Sequence, residues 1–163
     1  MQIINRLSSF WKFIIAIFIC EGVGILSAFF SQTFNNVWFD TLIKPSWNPP
    51  AYLFGPVWTL LYFLMAVALW IVWKSDTSQP KRNIATSAFI IQLLLNFWWS
   101  IFFFRFHSPL FALLDIVALL IAIVFMISNF SKISKLAAWL LVPYLLWVSF
   151  ATILNANIWI LNQ

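Results

Sequence analysis

Five apolar runs, each about twenty residues long and each set off by a polar or proline-bearing stretch, constrain this chain more than any other feature. A helix rising 1.5 Å per residue needs roughly 20 apolar residues to cross the hydrocarbon layer. The runs fall at about 10–30, 53–73, 84–104, 110–130 and 136–161. They do not alternate in polarity, as the strands of a membrane barrel would. The expectation is a single all-α integral membrane domain over residues 1–163: a five-helix bundle with a long first loop, 31–52, lying over it as a lid. Composition agrees. The chain is 64% hydrophobic and 8% charged, against about 25% charged in an ordinary soluble domain. The first run contains Glu21 and lacks a small-x-small cleavage site, so it reads as a span and not as a cleaved signal.

Charge gives orientation. With an odd number of spans, the N-terminus and the second and fourth loops share a side. That side carries Arg6, Lys12, Lys74, Lys81, Arg82, Lys132 and Lys135; the other carries Lys44 and Arg105. Lys and Arg accumulate on the cytoplasmic side of membrane proteins. A multi-pass protein of the cell membrane is expected, with a cytoplasmic N-terminus and with the first loop and C-terminus outside. The basic residues are scattered at segment ends, which argues against nucleic acid as a partner. The lone Cys20 excludes an internal disulfide, and the lone His107 excludes a bis-histidine haem and most zinc sites, so no metal site is expected.

Polar groups inside a span are costly and face the bundle interior. Glu21 sits mid-span beside Gly22 and Gly24, and Asp115 lies early in the fourth run. Gln92, Asn96 and Trp99 share one helical face, as do Trp58 and Tyr62, and Trp147, Ala151 and Asn155. Such groups serve either as interhelical bonds, at about 0.6 kcal/mol each, or as the lining of a pocket; five helices sending them to one interior favours the pocket. Tryptophan points the same way. There are eleven. Trp11, Trp38, Trp70, Trp73, Trp139 and Trp159 lie near span ends and suit an interfacial belt. Trp47, Trp58, Trp98, Trp99 and Trp147 do not all suit it, and flat indoles in an interior fit a large planar guest.

The loop Lys44-Pro45-Ser46-Trp47-Asn48-Pro49-Pro50-Ala51-Tyr52, continuing through Phe54-Gly55-Pro56-Val57-Trp58, holds four of the seven prolines. Proline lowers the entropy lost when a loop closes on a ligand. Asn48 before Pro49 predicts a helix N-cap with proline at the first helical position. Pro56 then falls in the first turn. Lys44 could pair with a ligand carboxylate or with a lipid phosphate.

These residues carry a resemblance. Lys44-Pro-Ser-Trp-x-Pro-Pro followed by Phe54-Gly-Pro-Val-Trp-x-Leu-Leu-Tyr62 resembles the signature of the tryptophan-rich sensory protein/translocator protein family (TspO/MBR, the peripheral-type benzodiazepine receptor). Gln92-Leu-x-Leu-Asn96-x-x-Trp99, Leu113-x-Asp115 and Pro143-Tyr144-x-x-Trp147-x-x-Phe150-Ala151-Thr152-x-Leu154-Asn155-x-x-Ile158-Trp159 match in order. The likeness covers roughly 22–159. It implies a compact five-helix bundle, usually a homodimer. It also implies a site under the first loop for tetrapyrroles such as protoporphyrin IX and haem, and for synthetic benzodiazepine-like or isoquinoline-carboxamide ligands. Bacterial members are associated with light-dependent oxidative breakdown of protoporphyrin and with stress responses.

Carried over by position, the implied ligand contacts are Gly22, Trp47, Tyr52, Trp58, Asn96, Trp99, Asp115, Trp147, Phe150, Ala151 and Leu154. Trp47 and Trp147 are the implied photochemical residues. No cofactor is required beyond porphyrin as ligand or substrate. Tyr52 and Phe97 stand where many relatives have tryptophan. The cholesterol motif of mammalian members needs a late tyrosine followed by Lys or Arg. Ala156 occupies that position and no basic residue follows Lys135, so cholesterol recognition is not expected.

Three function classes follow: a tetrapyrrole receptor with photo-oxidative turnover, a transporter or channel subunit, and a structural scaffold. Glu21 and Asp115 favour transport, but no inverted repeat is visible. A retinal-type receptor is disfavoured because no lysine lies mid-span. Gly24/Ala28 and Ala118/Ala122 are small-xxx-small pairs, for which ordinary packing within the bundle is the preferred reading.

Overall fold

The computed structural model describes residues 7–33 and 36–163; Arg6, counted above for orientation, lies outside them. Its elements are α1 (Ser9–Ser31), a short α2 within the first loop (Val37–Thr41), α3 (Ala51–Lys74), α4 (Gln79–Ser100), α5 (Pro109–Ser131), α6 (Lys135–Trp139) and α7 (Val142–Leu161). A π-helical turn, Ile101–Arg105, extends α4. Five segments are long and apolar enough to span a membrane, the third running Gln79–Arg105 and the fifth Lys135–Leu161. In lipid the backbone must satisfy its own hydrogen bonds, which is why apolar runs of this length become helices. This is a multi-pass membrane protein.

Boundaries moved where proline chemistry decided them. The expected cap at Asn48 is corrected: α3 begins at Ala51, with Pro50 before it. Pro49 and Pro50 have no N–H for the Asn48 carbonyl oxygen to accept, and its amide nitrogen donates instead to the Pro49 carbonyl at 2.9 Å. Pro56 therefore falls in the second turn rather than the first, where its ring removes the bond that Tyr52 would have accepted. The third span starts five residues before the expected 84, because Pro80 suits a first helical turn. The fifth is interrupted between α6 and α7, where Pro143 lacks the donor that a continuous helix needs. The first loop is not irregular throughout: α2 forms within it, capped by Asn36, whose side-chain oxygen accepts from the Phe39 amide at 3.0 Å.

α1 packs along α3, α4 along α5, and α5 along α7. Met65, Ala66 and Leu69 from α3, Phe89 from α4, Ile123, Met126 and Phe130 from α5, and Tyr144 and Val148 from α7 form the core. The outward residues are as apolar as the inward ones: Phe18 is 80% exposed and Phe29 72%. That is the surface of a protein solvated by lipid. Trp73 corrects the belt assignment. It is buried, and its Nε1 donates to Thr86 Oγ1 at 3.1 Å, joining α3 to α4.

Candidate functional site

α3 and α7 are bridged by side chains rather than by closely apposed backbones. The Trp58 ring lies 5.6 Å from Tyr62 on its own helix and 6.3 Å from Tyr144 on α7. Phe54 meets Trp147 at 5.9 Å, Trp147 meets Phe150 at 5.6 Å, and Trp47 of the first loop meets Phe150 at 5.7 Å. The first loop therefore meets α7 and the start of α3 through a run of rings, Trp47, Phe150, Trp147 and Phe54.

Beneath the rings lies a polar network. Tyr62 donates its hydroxyl to Asn96 Oδ1 at 2.6 Å, Asn96 Nδ2 donates to the Tyr144 hydroxyl at 3.0 Å, and that hydroxyl donates to Gln92 Oε1 at 2.8 Å. Three spans are thus bonded through one buried chain. Asn96 and Gln92 act as interhelical bonds here, with the Asn96 amide engaged on both its oxygen and its nitrogen. A second link joins Trp99 Nε1 to Asn155 Oδ1 at 3.1 Å and Asn155 Nδ2 to the Pro109 carbonyl at 2.8 Å, fixing the start of α5 against α4 and α7.

Two groups at this level remain unspent. Trp147 Nε1 and Asp115 Oδ2 are buried and have no hydrogen-bond partner among the described residues. Asp115 lies on the face of α5 that buries Ala112, Ile116 and Leu119. A buried polar group without a partner costs about 1–3 kcal/mol. Trp147 thus brings an unsatisfied donor to the ring cluster, and Asp115 an unsatisfied acceptor to the inner face of α5.

The loop is fastened at several points. Asn36 Nδ2 donates to the Phe104 carbonyl at 3.1 Å. Asn162, just beyond α7, accepts from the Ile43 amide and donates to its carbonyl, both at 2.9 Å. Trp47 rests on Phe150. Trp38 and Phe39 of α2 pack on Phe103, and Trp38 also stacks on His107 at 4.5 Å. Lys44 Nζ lies 4.6 Å from the Phe39 ring centre and donates to the carbonyls of Asp40 and Leu42.

The structure brings together Trp47, Trp58, Asn96, Trp99, Trp147, Phe150, Ala151 and Leu154 in two adjoining clusters that share Trp99 and the Trp147–Phe150 contact. Tyr52 is set apart, 74% exposed at the start of α3. Gly22 lies on α1 facing open space, with nothing within 4 Å of where a β-carbon would be. Glu21 is half-buried and has no hydrogen-bond partner among the described residues. Sequence reasoning gave Tyr144 no role, although a tyrosine within a span needs a hydroxyl partner and so carried a signal. Asn162 carried none, because its partner lies 119 residues away.

The TspO/MBR family model matches residues 16–160. The chain is 44% identical to the tryptophan-rich protein TspO of Chlorobaculum tepidum, over 93% of this chain and 98% of the relative. It is 37% identical to the human translocator protein, over 75% and 73% of the two chains. It is 31% identical to protein CrtK of Rhodobacter capsulatus, over 88% of each.

Proposed function

This chain belongs to the TspO/MBR family, and from that premise we propose that it is a membrane receptor for planar tetrapyrroles, protoporphyrin IX and haem among them. The guest enters under the first loop, which acts as a lid, between α3, α5 and α7. The observation that carries this reading is Trp147 Nε1, buried against the Phe54 and Phe150 rings with no partner among the described residues, together with Asp115 Oδ2 on α5, which likewise has none. The rings offer stacking area. The indole N–H suits a ligand carboxylate or carbonyl, and the Asp115 oxygen suits a ligand N–H or O–H. Benzodiazepine-like and isoquinoline-carboxamide ligands, flat and carrying a carbonyl, suit the same groups. Ala151 and Leu154 on α7 form one wall, while Tyr52 and Gly22 stand apart from it. The protein acts as a homodimer in the cell membrane, N-terminus in the cytoplasm.

Light-dependent loss of bound protoporphyrin is the turnover this site supports. The porphyrin is its own photosensitiser, dioxygen is the oxidant that is consumed, and Trp47 and Trp147 are the indoles beside it. The test is a porphyrin titration in darkness, read by tryptophan quenching, followed by illumination. Saturable quenching in the dark is expected. Trp47→Phe with Trp147→Phe should retain binding and lose the light-driven bleaching. Quenching that never saturates rules out the receptor, and unchanged bleaching in the double variant removes both indoles from the photochemistry. The second reading, a transporter or channel subunit, rests on half-buried, unpaired Glu21; ligand-dependent flux in proteoliposomes would select it.

A further inference from the structure

At the bundle end away from the first loop, α1 and α3 enclose a groove of about 340 Å3 walled by Phe10, Phe13, Val67 and Trp70, with Ser9 at its rim. Each wall is a pair of side chains three residues apart, adjacent on its helix. Trp70 is held from several directions. Its Nε1 donates to the Ser9 carbonyl at 3.0 Å and to the Ser9 hydroxyl at 3.1 Å. Phe13 meets its edge at 5.3 Å, and the Lys74 ammonium sits over its face at 3.5 Å. From α1, Lys12 Nζ donates to the Trp73 carbonyl at 3.3 Å, next to Lys74 in the chain. Two ammonium groups, one from each helix, therefore stand at this end of α1 and α3, that of Lys74 directly over the groove residue Trp70. Neither has an acidic partner among the described residues, and the exposed Asp76 engages neither.

We infer that this groove binds one anionic phospholipid, an acyl chain lying along Phe10, Phe13, Val67 and Trp70 and its phosphate held between Lys12 and Lys74. Ser9 is the first residue of one span and Lys74 the last of the other, so the rim stands where headgroups begin. The groove wall is apolar and its rim is cationic, which is the order of chain and phosphate in a lipid. Lys12 spends one of its three N–H groups on Trp73, and Lys74 touches a ring face alone, so donors remain for an anion. A zwitterionic lipid brings an ammonium that two lysines repel. Basic pockets between membrane helices select anionic headgroups for this reason.

Native mass spectrometry of the full chain in detergent tests the site, with dioleoylphosphatidylglycerol and dioleoylphosphatidylcholine titrated separately. One tightly retained phosphatidylglycerol per chain is expected. Lys12→Gln with Lys74→Gln should weaken it about thirtyfold, the product of two lysines near a membrane surface, and leave phosphatidylcholine unchanged. Val67→Trp, which keeps both lysines and fills the groove, should also lose the retained lipid. Equal affinity of the wild type for the two lipids overturns the site. So does a Lys12/Lys74 double variant that melts like the wild type and keeps its preference, or a Val67→Trp protein that binds as before.

Discussion

Gly24 on α1 and Tyr62 on α3 occupy one another's space: a β-carbon at Gly24 would lie 2.5 Å from Cε2 of the Tyr62 ring and 2.7 Å from Cδ2. The small residue is used inside the bundle, where it lets a buried tyrosine pack closely against α1 and reach Asn96.

Gly24→Ala should therefore destabilise, because Tyr62 is buried and its hydroxyl is tied to Asn96 at 2.6 Å. Overpacking of this kind costs about 1–3 kcal/mol. Gly22→Ala, two residues away with open space at its β-carbon, should be neutral or gain about 0.5–1 kcal/mol from reduced backbone freedom. Thermal melts in detergent separate the two; equal melting temperatures would remove Tyr62 as the cause.

Tyr144→Phe should cost more than Tyr62→Phe. The Tyr144 hydroxyl accepts from Asn96 and donates to Gln92, so its loss leaves two buried amides short of a partner, whereas Tyr62→Phe leaves one. A single interhelical bond averages about 0.6 kcal/mol in membranes, and an unsatisfied buried group costs about 1–3 kcal/mol. A double-mutant cycle should show coupling through Asn96; strict additivity would mean that the network does not act as a unit.

Asn162→Ala should loosen the first loop without unfolding the bundle. It removes both bonds to Ile43 and leaves Asn36–Phe104 and Trp47–Phe150 in place. Hydrogen exchange at the Ile43 amide should quicken by an order of magnitude or more, as about 1.4 kcal/mol of local stability per tenfold requires. Amides in the middle of α4 and α5 should not change. Exchange that quickens everywhere would mean that the clasp stabilises the whole fold.

Asp115→Asn tests the proposed ligand contact. Because Asp115 Oδ2 has no partner among the described residues, the substitution sacrifices no bond and should leave the melting temperature unchanged or raise it. Porphyrin affinity should shift several-fold, in line with one polar contact of about 0.5–1.5 kcal/mol. Unchanged affinity together with unchanged stability would place the carboxylate outside the site.

The number of spans, their apolar faces and the interior placement of Gln92, Asn96 and Asn155 were legible in the chain, because hydrocarbon forces both span length and the burial of amides. The four family motifs were legible too. The start of α3 and the break before Val142 were not, since each depends on which neighbouring donor a proline removes, and that is settled by competition among local hydrogen bonds. Trp73 looked interfacial by position, yet the partner that draws it inward, Thr86, lies on another span. Asn96 looked like a ligand contact and is engaged by two tyrosines, while Trp147 and Asp115 keep unspent polar atoms. Sequence periodicity tells which residues face inward. It does not tell which inward polar groups satisfy one another, because that depends on distances between helices that only packing sets.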